Sequence, residues 1–254
     1  PVQARFHRLP TLYLPEALPV WALAWARSHF HEVEDVSIDS IDVPTRGAQR
    51  LQMRTSSDDG VSQRFDLRLF NRGTASYLLE TWGEPEVMAD QGEALVTELI
   101  RGLRVPEDSS EEDTGGSTLA ELDGLRLTLP DGHWRSTRDG SMISFALDGR
   151  LIEGVVLAEI LPYPLSPVDY GAVALGNERN QDMITSVAGG SLGTEGAFHD
   201  IRMEIEGPTI EYTRHHRFVT SGVRAYQIVL WTPSALYEQN RLIMERVLAT
   251  TELD

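Results

Sequence analysis

The sequence predicts an α+β chain built as two tandem domains, each an antiparallel sheet with packed helices. Three observations predict this. First, RAYQIVLW (224–231) echoes ASYLLETW (75–82), with Tyr226 and Trp231 each 149 residues after Tyr77 and Trp82. Second, each echo follows an apolar-polar strand and a Gly-bearing turn. VSQRFDLRLF runs into NRGT before the first copy, and TIEYTRHHRFV runs into TSGV before the second. Third, each echo is followed by a helix with one apolar stripe. Leu95, Val96, Leu99 and Ile100 answer Ile243, Met244, Val247 and Leu248, the i, i+1, i+4, i+5 spacing of a single helical face.

Taken in order, residues 2–18 (VQARFHRLPTLYLPEAL) read as a strand, a Pro-broken turn and a helix start. A helix is expected over about 16–30 and a short strand at RLQMRT (50–55). In the next strand Phe65, Leu67 and Leu69 alternate with Arg64, Asp66 and Arg68, the pattern of a strand buried on one side only. Gly73 and Gly222 fall at matching turn positions, where positive φ is cheap for glycine. Pro85 is placed at the first turn of the closing helix, which runs to Leu103.

PEDSSEEDTGGST (106–118) holds five acids and no large apolar group. It cannot bury enough surface to offset its ordering entropy and reads as an acidic linker. It separates a first domain, 1–105, from a second, 119–254. The second opens with residues 122–149, read as a β-meander turning at Pro130–Gly132 and Arg138–Gly140. EGVVLAEILPYPLSPVDY (153–170) then repeats the strand and Pro-broken turn of residues 2–18. A helix over 167–187 and a strand at IRMEIEG (201–207) follow. Ser234 is the expected N-cap of the last helix, which runs to about Thr250. The first domain has nothing to match 122–149, so it is an N-terminally incomplete copy.

Three features together resemble the PsbP-like superfamily: GLRLTLPDGHW opening a domain, the Pro-flanked helix near YPLSPVDYGAVAL, and the closing strand, Gly turn, strand and helix. The resemblance covers nearly all of 119–254 and most of 1–105. It implies an α/β/α sandwich, shared by an extrinsic photosystem subunit, a Ran-binding import factor, DcrB-like envelope lipoproteins and type VI secretion effector-associated chaperones. The chain departs from that pattern in its tandem arrangement and in the missing first strands of its first copy. The resemblance carries over no catalytic residue. It implies a binding, assembly or chaperone role.

Composition narrows the chemistry. The chain has 254 residues, no cysteine and a net charge of −17. All 22 basic residues are arginine, the mark of a GC-rich bacterial genome. Without Cys or Lys there is no thiolate, Schiff base or P-loop lysine. The acidic surface repels nucleic-acid backbones and anionic lipid. No apolar run is long enough to span a bilayer, so direct membrane insertion is not expected. The compartment stays open between cytoplasm and envelope, the latter after loss of an N-terminal segment.

No catalytic residue and no cofactor is expected. In HFHEVED (29–35), His29 and His31 would share a strand face and could grip a metal ion, with His7 as a guessed third ligand; a polar helix exit is the alternative. His215 and His216 fall on opposite strand faces in a structural or solvent-facing role. The run 189–193 (GGSLG) lacks the lysine of a phosphate loop and reads as a helix stop and loop. Glu204 and Glu206 share a face, as a glycosidase pair would, but read as a solvated acidic edge. Tyr77, Trp82, Tyr226 and Trp231 are expected to anchor the two cores. Trp21 and Trp25, one helical turn apart, pack on the sheet or offer an aromatic patch to a partner. The reading is a non-enzymatic, protein-binding accessory subunit or chaperone, whose partner is another protein or a larger complex. The alternative is an envelope protein binding a small ligand or metal through His29 and His31.

Overall fold

The computed structural model describes residues 1–30, 32–40, 48–56, 60–72, 75–102, 116–179, 187–195, 198–206 and 210–253. Its chain divides into two compact units, Pro1–Asp113 and Thr114–Asp254.

The first unit holds β1 (Gln3–Arg8), α1 (Ala17–His29), β2 (Glu32–Ser40), β3 (Gln49–Ser56), β4 (Ser62–Arg72) and β5 (Ala75–Gly83). A closing helical run follows: α2 (Pro85–Val87), a π-helical turn (Met88–Gly92) and α3 (Glu93–Gly102). All its strands pair antiparallel, in the order β1-β5-β4-β3-β2. Pro85 occupies the first turn, as expected, where its missing N–H costs nothing. Leu51, Met53, Phe65, Leu67 and Leu69 form buried rows on the sheet, and α1 packs against β2, β3 and β4.

The second unit holds β6 (Thr118–Leu122), β7 (Leu125–Leu129), β8 (Arg135–Asp139), β9 (Met142–Leu147), β10 (Ile152–Ile160), α4 (Pro167–Arg179) and β11 (Val187–Glu195). It continues through β12 (Phe198–Glu206), β13 (Glu211–Ser221), β14 (Arg224–Pro233), a 3₁₀ turn (Ser234–Leu236), α5 (Tyr237–Ala249) and β15 (Glu252–Leu253). Its main sheet runs β11-β12-β13-β14-β10-β9-β8, and a small sheet runs β15-β7-β6. The main core joins Leu122, Leu125, Leu127 and Leu129 of the small sheet to Phe145, Ile152 and Tyr226 of the large one and to Met244 and Val247 of α5. On the other side, Tyr170 of α4 meets Phe218 edge-on at 5.8 Å, with Ala225 beside them.

The two units share a topology. Reversed, the main sheet reads β10-β14-β13-β12-β11, strand for strand the order of the first unit, with β9 and β8 added beyond β10. The register agrees as well. Phe70 pairs with Tyr77 as Val219 pairs with Tyr226, and Arg68 pairs with Arg50 as Arg217 pairs with Asp200. Gly222 has φ +62, the turn conformation its counterpart was expected to share; Gly73 lies outside the described residues.

Several expectations change. Residues 122–149 are not one meander. After β7 the chain leaves the small sheet at Pro130, where the Trp134 indole N–H donates to the Pro130 carbonyl at 2.8 Å, and β8 and β9 extend the main sheet. The GGSLG run (189–193) lies inside β11, not in a loop, and α4 ends at Arg179. Ser234 is not a side-chain N-cap; its hydroxyl lies 3.1 Å from that of Thr213 and it opens the 3₁₀ turn. Thr118, placed in the linker, starts β6; residues 103–115 of that stretch lie outside the described residues. Finally, β4 is buried on both faces. Asp66 and Arg68 are nearly inaccessible, because the charges on the second face are paired beneath the closing helix.

Gly154 is where the main sheet is tightest. A Cβ there would lie 2.3 Å from the Phe145 ring and 2.7 Å from Leu230. Gly154→Val should therefore destabilise the second unit by about 1–3 kcal/mol or more through overpacking. Urea unfolding followed by tryptophan fluorescence checks this.

Candidate functional site

In both units one sheet face meets the closing helix through charged groups. In the first, Asp66 accepts from Arg50 Nε at 2.9 Å and Arg68 Nε at 2.8 Å. Glu93 of α3 accepts from Arg50 Nη2 at 2.6 Å and Arg68 Nη2 at 3.1 Å. The four charges neutralise one another, which allows them this degree of burial.

In the second unit the same strand positions line a cleft of about 470 Å³. Arg217, the register equivalent of Arg68, forks onto Asp200 at 2.7 and 2.6 Å and donates to the Leu248 carbonyl at 2.5 Å. His215, the equivalent of Asp66, is 2% exposed. Its Nε2 lies 2.9 Å from the Tyr237 hydroxyl of α5, and its Nδ1 is buried with no hydrogen-bond partner among the described residues. Burial pushes the His215 imidazole below its usual range, so it is neutral near pH 7 and can accept the phenol proton. Arg202 lies over the Tyr237 ring at 5.6 Å, and a hydrogen bond with Tyr237 raises its pKa. Arg241 pairs with Glu238 and Glu245 at the rim. Such a cleft can hold a small polar group beside Tyr237 and His215. Its described lining holds three arginines and three carboxylates, so the cleft carries no surplus of charge.

A second feature lies at the end of the same unit, where β10 runs into α4. Leu161 and Leu165 are half-buried and pack against the cluster of Tyr170 and Phe218. The Leu161 N–H donates to the Val223 carbonyl in the β13–β14 turn at 2.8 Å. Ser166 caps α4, accepting from the Asp169 N–H at 3.1 Å while donating to its carboxylate at 2.6 Å. Pro162 and Pro164 fix two further φ angles. This pinned turn nonetheless presents Ile160 (74% exposed) and Tyr163 (61%), with Val223 (41%) beside them. Counted on from the paired strands, Tyr13 in the first unit's turn stands at the position of Tyr163. That turn is closed inward instead: Tyr13 is buried against Trp21, and Asn71 Nδ2 donates to its carbonyl at 2.8 Å.

The residues singled out from sequence are placed as follows. Trp21 and Trp25 are half-buried on α1. Trp21 tilts against Tyr13 at 5.6 Å, and Trp25 lies 4.9 Å from His29 and 6.0 Å from Phe30. His29 is not on a strand. It ends α1, with Nδ1 2.8 Å from the Trp25 carbonyl. His31 lies outside the described residues, and His7 Nε2 is 3.4 Å from Glu80. No group of three metal-ligating side chains occurs among the described residues. His215 and His216 do occupy opposite faces, but both are buried, so the solvent-facing option fails. Glu204 and Glu206 are exposed on β12. Tyr77 and Tyr226 are buried anchors, whereas Trp82 and Trp231 are half-buried, Trp82 under Arg5 and Trp231 under Arg214.

The cleft itself was not legible as a site, since its groups come from β12, β13 and α5 with no local motif. The repeat held the one available signal: Asp66 and Arg68 recur as His215 and Arg217 in register.

No family model matches the chain, and neither does any curated protein. Among solved structures it is similar to cyanobacterial PsbP (CyanoP) from Synechocystis sp. PCC 6803, at 11% identity and TM-score 0.42, covering 60% of this chain and 99% of that one. It is also similar to the type VI secretion immunity protein TplEi of Pseudomonas aeruginosa, at 10% identity and TM-score 0.29, covering 100% and 91%. A third is the di-domain aromatase/cyclase BexL of the BE-7585A biosynthetic pathway, at 12% identity and TM-score 0.21, covering 98% and 94%. Likenesses at this distance fix neither family nor function.

Proposed function

We propose that the chain is a non-enzymatic protein-binding module whose principal contact is the apolar end of its second unit. One observation carries this reading: Ile160, Tyr163 and Val223 are held out to solvent by a turn pinned at Leu161, Leu165 and Ser166. Exposed apolar groups on a rigid support favour association, because little ordering entropy is lost when a partner covers them. Tyrosine is enriched at such centres. The uncovered edges of Trp21 and Trp25 offer the first unit's own contribution. No helix among the described residues is long and apolar enough to cross a membrane.

A photo-crosslinking residue at position 163, with Leu242 as control, tests the reading in cells. Leu242 is a lone exposed apolar residue of α5, 64% accessible. A discrete protein adduct at 163 and none at 242 is expected. Equal labelling at both positions contradicts the reading.

A second reading, small-ligand binding, is favoured by the unpartnered His215 Nδ1. It moves the ligand site from His29 and His31 to the cleft. A melting-point increase with a small carboxylate such as citrate, lost in Tyr237→Phe, would support it.

A further inference from the structure

We propose that a cavity under the π-helical turn of the first unit binds a small carboxylate through Arg64. The site goes beyond the protein-binding reading and stands on other residues. The cavity measures about 270 Å³ and lies between Arg50, Gln52, Arg64 and Asp66 of the sheet and the π-helical turn with Glu93. The two units differ in charge at this face. By strand register Arg50, Gln52, Arg54, Arg64, Asp66 and Arg68 correspond to Asp200, Arg202, Glu204, Thr213, His215 and Arg217 of the second unit. The first set holds four guanidiniums and one carboxylate. The second holds two of each, with a neutral imidazole.

Neighbouring acids reduce this excess to one guanidinium. Glu93 takes Arg50 and Arg68, and Asp35 lies 3.6 Å from Arg54. Arg64 is half-buried and makes no hydrogen bond, ion pair or ring contact among the described residues. Glu84, Glu86 and Asp90 beside the overlying helical run are exposed and do not pair with it. Stability gives no reason for a cation at this position. Across the strand pair Arg64 faces Arg54, and like charges directly opposite destabilise a sheet. Its counterpart Thr213 is buried, with its hydroxyl 3.1 Å from that of Ser234. Arg50 adds donors at the same cavity: Nε and Nη2 are committed to Asp66 and Glu93, while Nη1 makes no bond among the described residues. One guanidinium in excess matches a monoanion. Its planar fork takes a planar carboxylate through two parallel hydrogen bonds, and the cavity volume suits a small acid.

The test titrates the full chain with sodium acetate at constant ionic strength, sodium chloride making up the balance. NMR follows the Arg64 Nε–H and the backbone amides of Gly92 and Glu93. A saturable shift is expected, with half-saturation on the order of 1–10 mM for so small a ligand. Arg64→Gln removes no contact with a described residue and should fold normally; it should weaken acetate binding at least roughly tenfold, read from the Gly92 and Glu93 amides. Ile160→Ser/Tyr163→Ser should leave acetate binding unchanged, so failure of this site and failure of the Tyr163 contact are told apart. A shift that does not saturate, a preference for inorganic phosphate over acetate, or saturation that survives Arg64→Gln overturns the proposal.

Discussion

Asp66→Ala is expected to destabilise the first unit by about 3 kcal/mol, the lower end of the range for a charge left unpaired in the interior. Asp66 accepts from both Arg50 and Arg68, and Gln52 Nε2 adds a bond at 3.3 Å. Removing it leaves two guanidiniums facing only Glu93, whose side chain is 63% exposed. Glu93→Ala should cost about 1 kcal/mol or less, because a solvated carboxylate is replaced more easily by water. The pair should be strongly coupled: once Asp66 is gone Glu93 is the remaining counter-charge of both guanidiniums, so the double variant costs more than the sum of the single ones. Urea midpoints of the four proteins give the cycle. Additive losses would mean that the four charges do not act as one network.

Acid should unfold the second unit through His216. This imidazole is fully buried, lies 3.3 Å from Gln227 Nε2, and has its pKa pushed down to about 3 by burial, with Arg214 and His215 nearby adding to the effect. In the unfolded chain it titrates near 6.5. Between those values the unfolded state holds the proton and the native state refuses it. The stabilisation is therefore complete above pH 6.5 and is lost progressively as pH falls towards 3. From pH 7.5 to pH 5.0 the loss from this group is about 2 kcal/mol. The depressed pKa of His215 acts in the same direction. His216→Gln retains an acceptor for Gln227 and does not titrate, so its unfolding free energy should fall by about 2 kcal/mol less over that interval. Parallel curves for the two proteins would refute this assignment.

The fold was legible where local periodicity and burial coincide. The β4–β5 and β13–β14 hairpins, Gly222 at φ +62 and the stripes through Val96 and Met244 follow from period-2 and period-3.6 patterns. The same logic failed at Asp66 and Arg68. Alternation marks two faces of a strand, but polarity does not say that the second face meets water when opposite charges can pair under a helix. Residues 122–149 read as one meander because turn chemistry fixes neighbours, not sheets; Trp134 bonding back to Pro130 marks the change of sheet. The apolar end was hidden in a Pro-rich turn whose twin folds inward. Its exposure follows from where Leu161, Leu165 and Ser166 anchor, which only the assembled unit reveals.

The central claim is that this chain acts by presenting a surface. The most direct measurement is the affinity of the protein captured at position 163 for three forms of the chain: unaltered, Ile160→Ser/Tyr163→Ser, and Tyr237→Phe. At least a roughly tenfold loss of affinity for the double variant with an unchanged melting temperature, and full retention by Tyr237→Phe, is the result predicted. Undiminished affinity in the double variant, or its loss in Tyr237→Phe, would move the function into the cleft and contradict the claim.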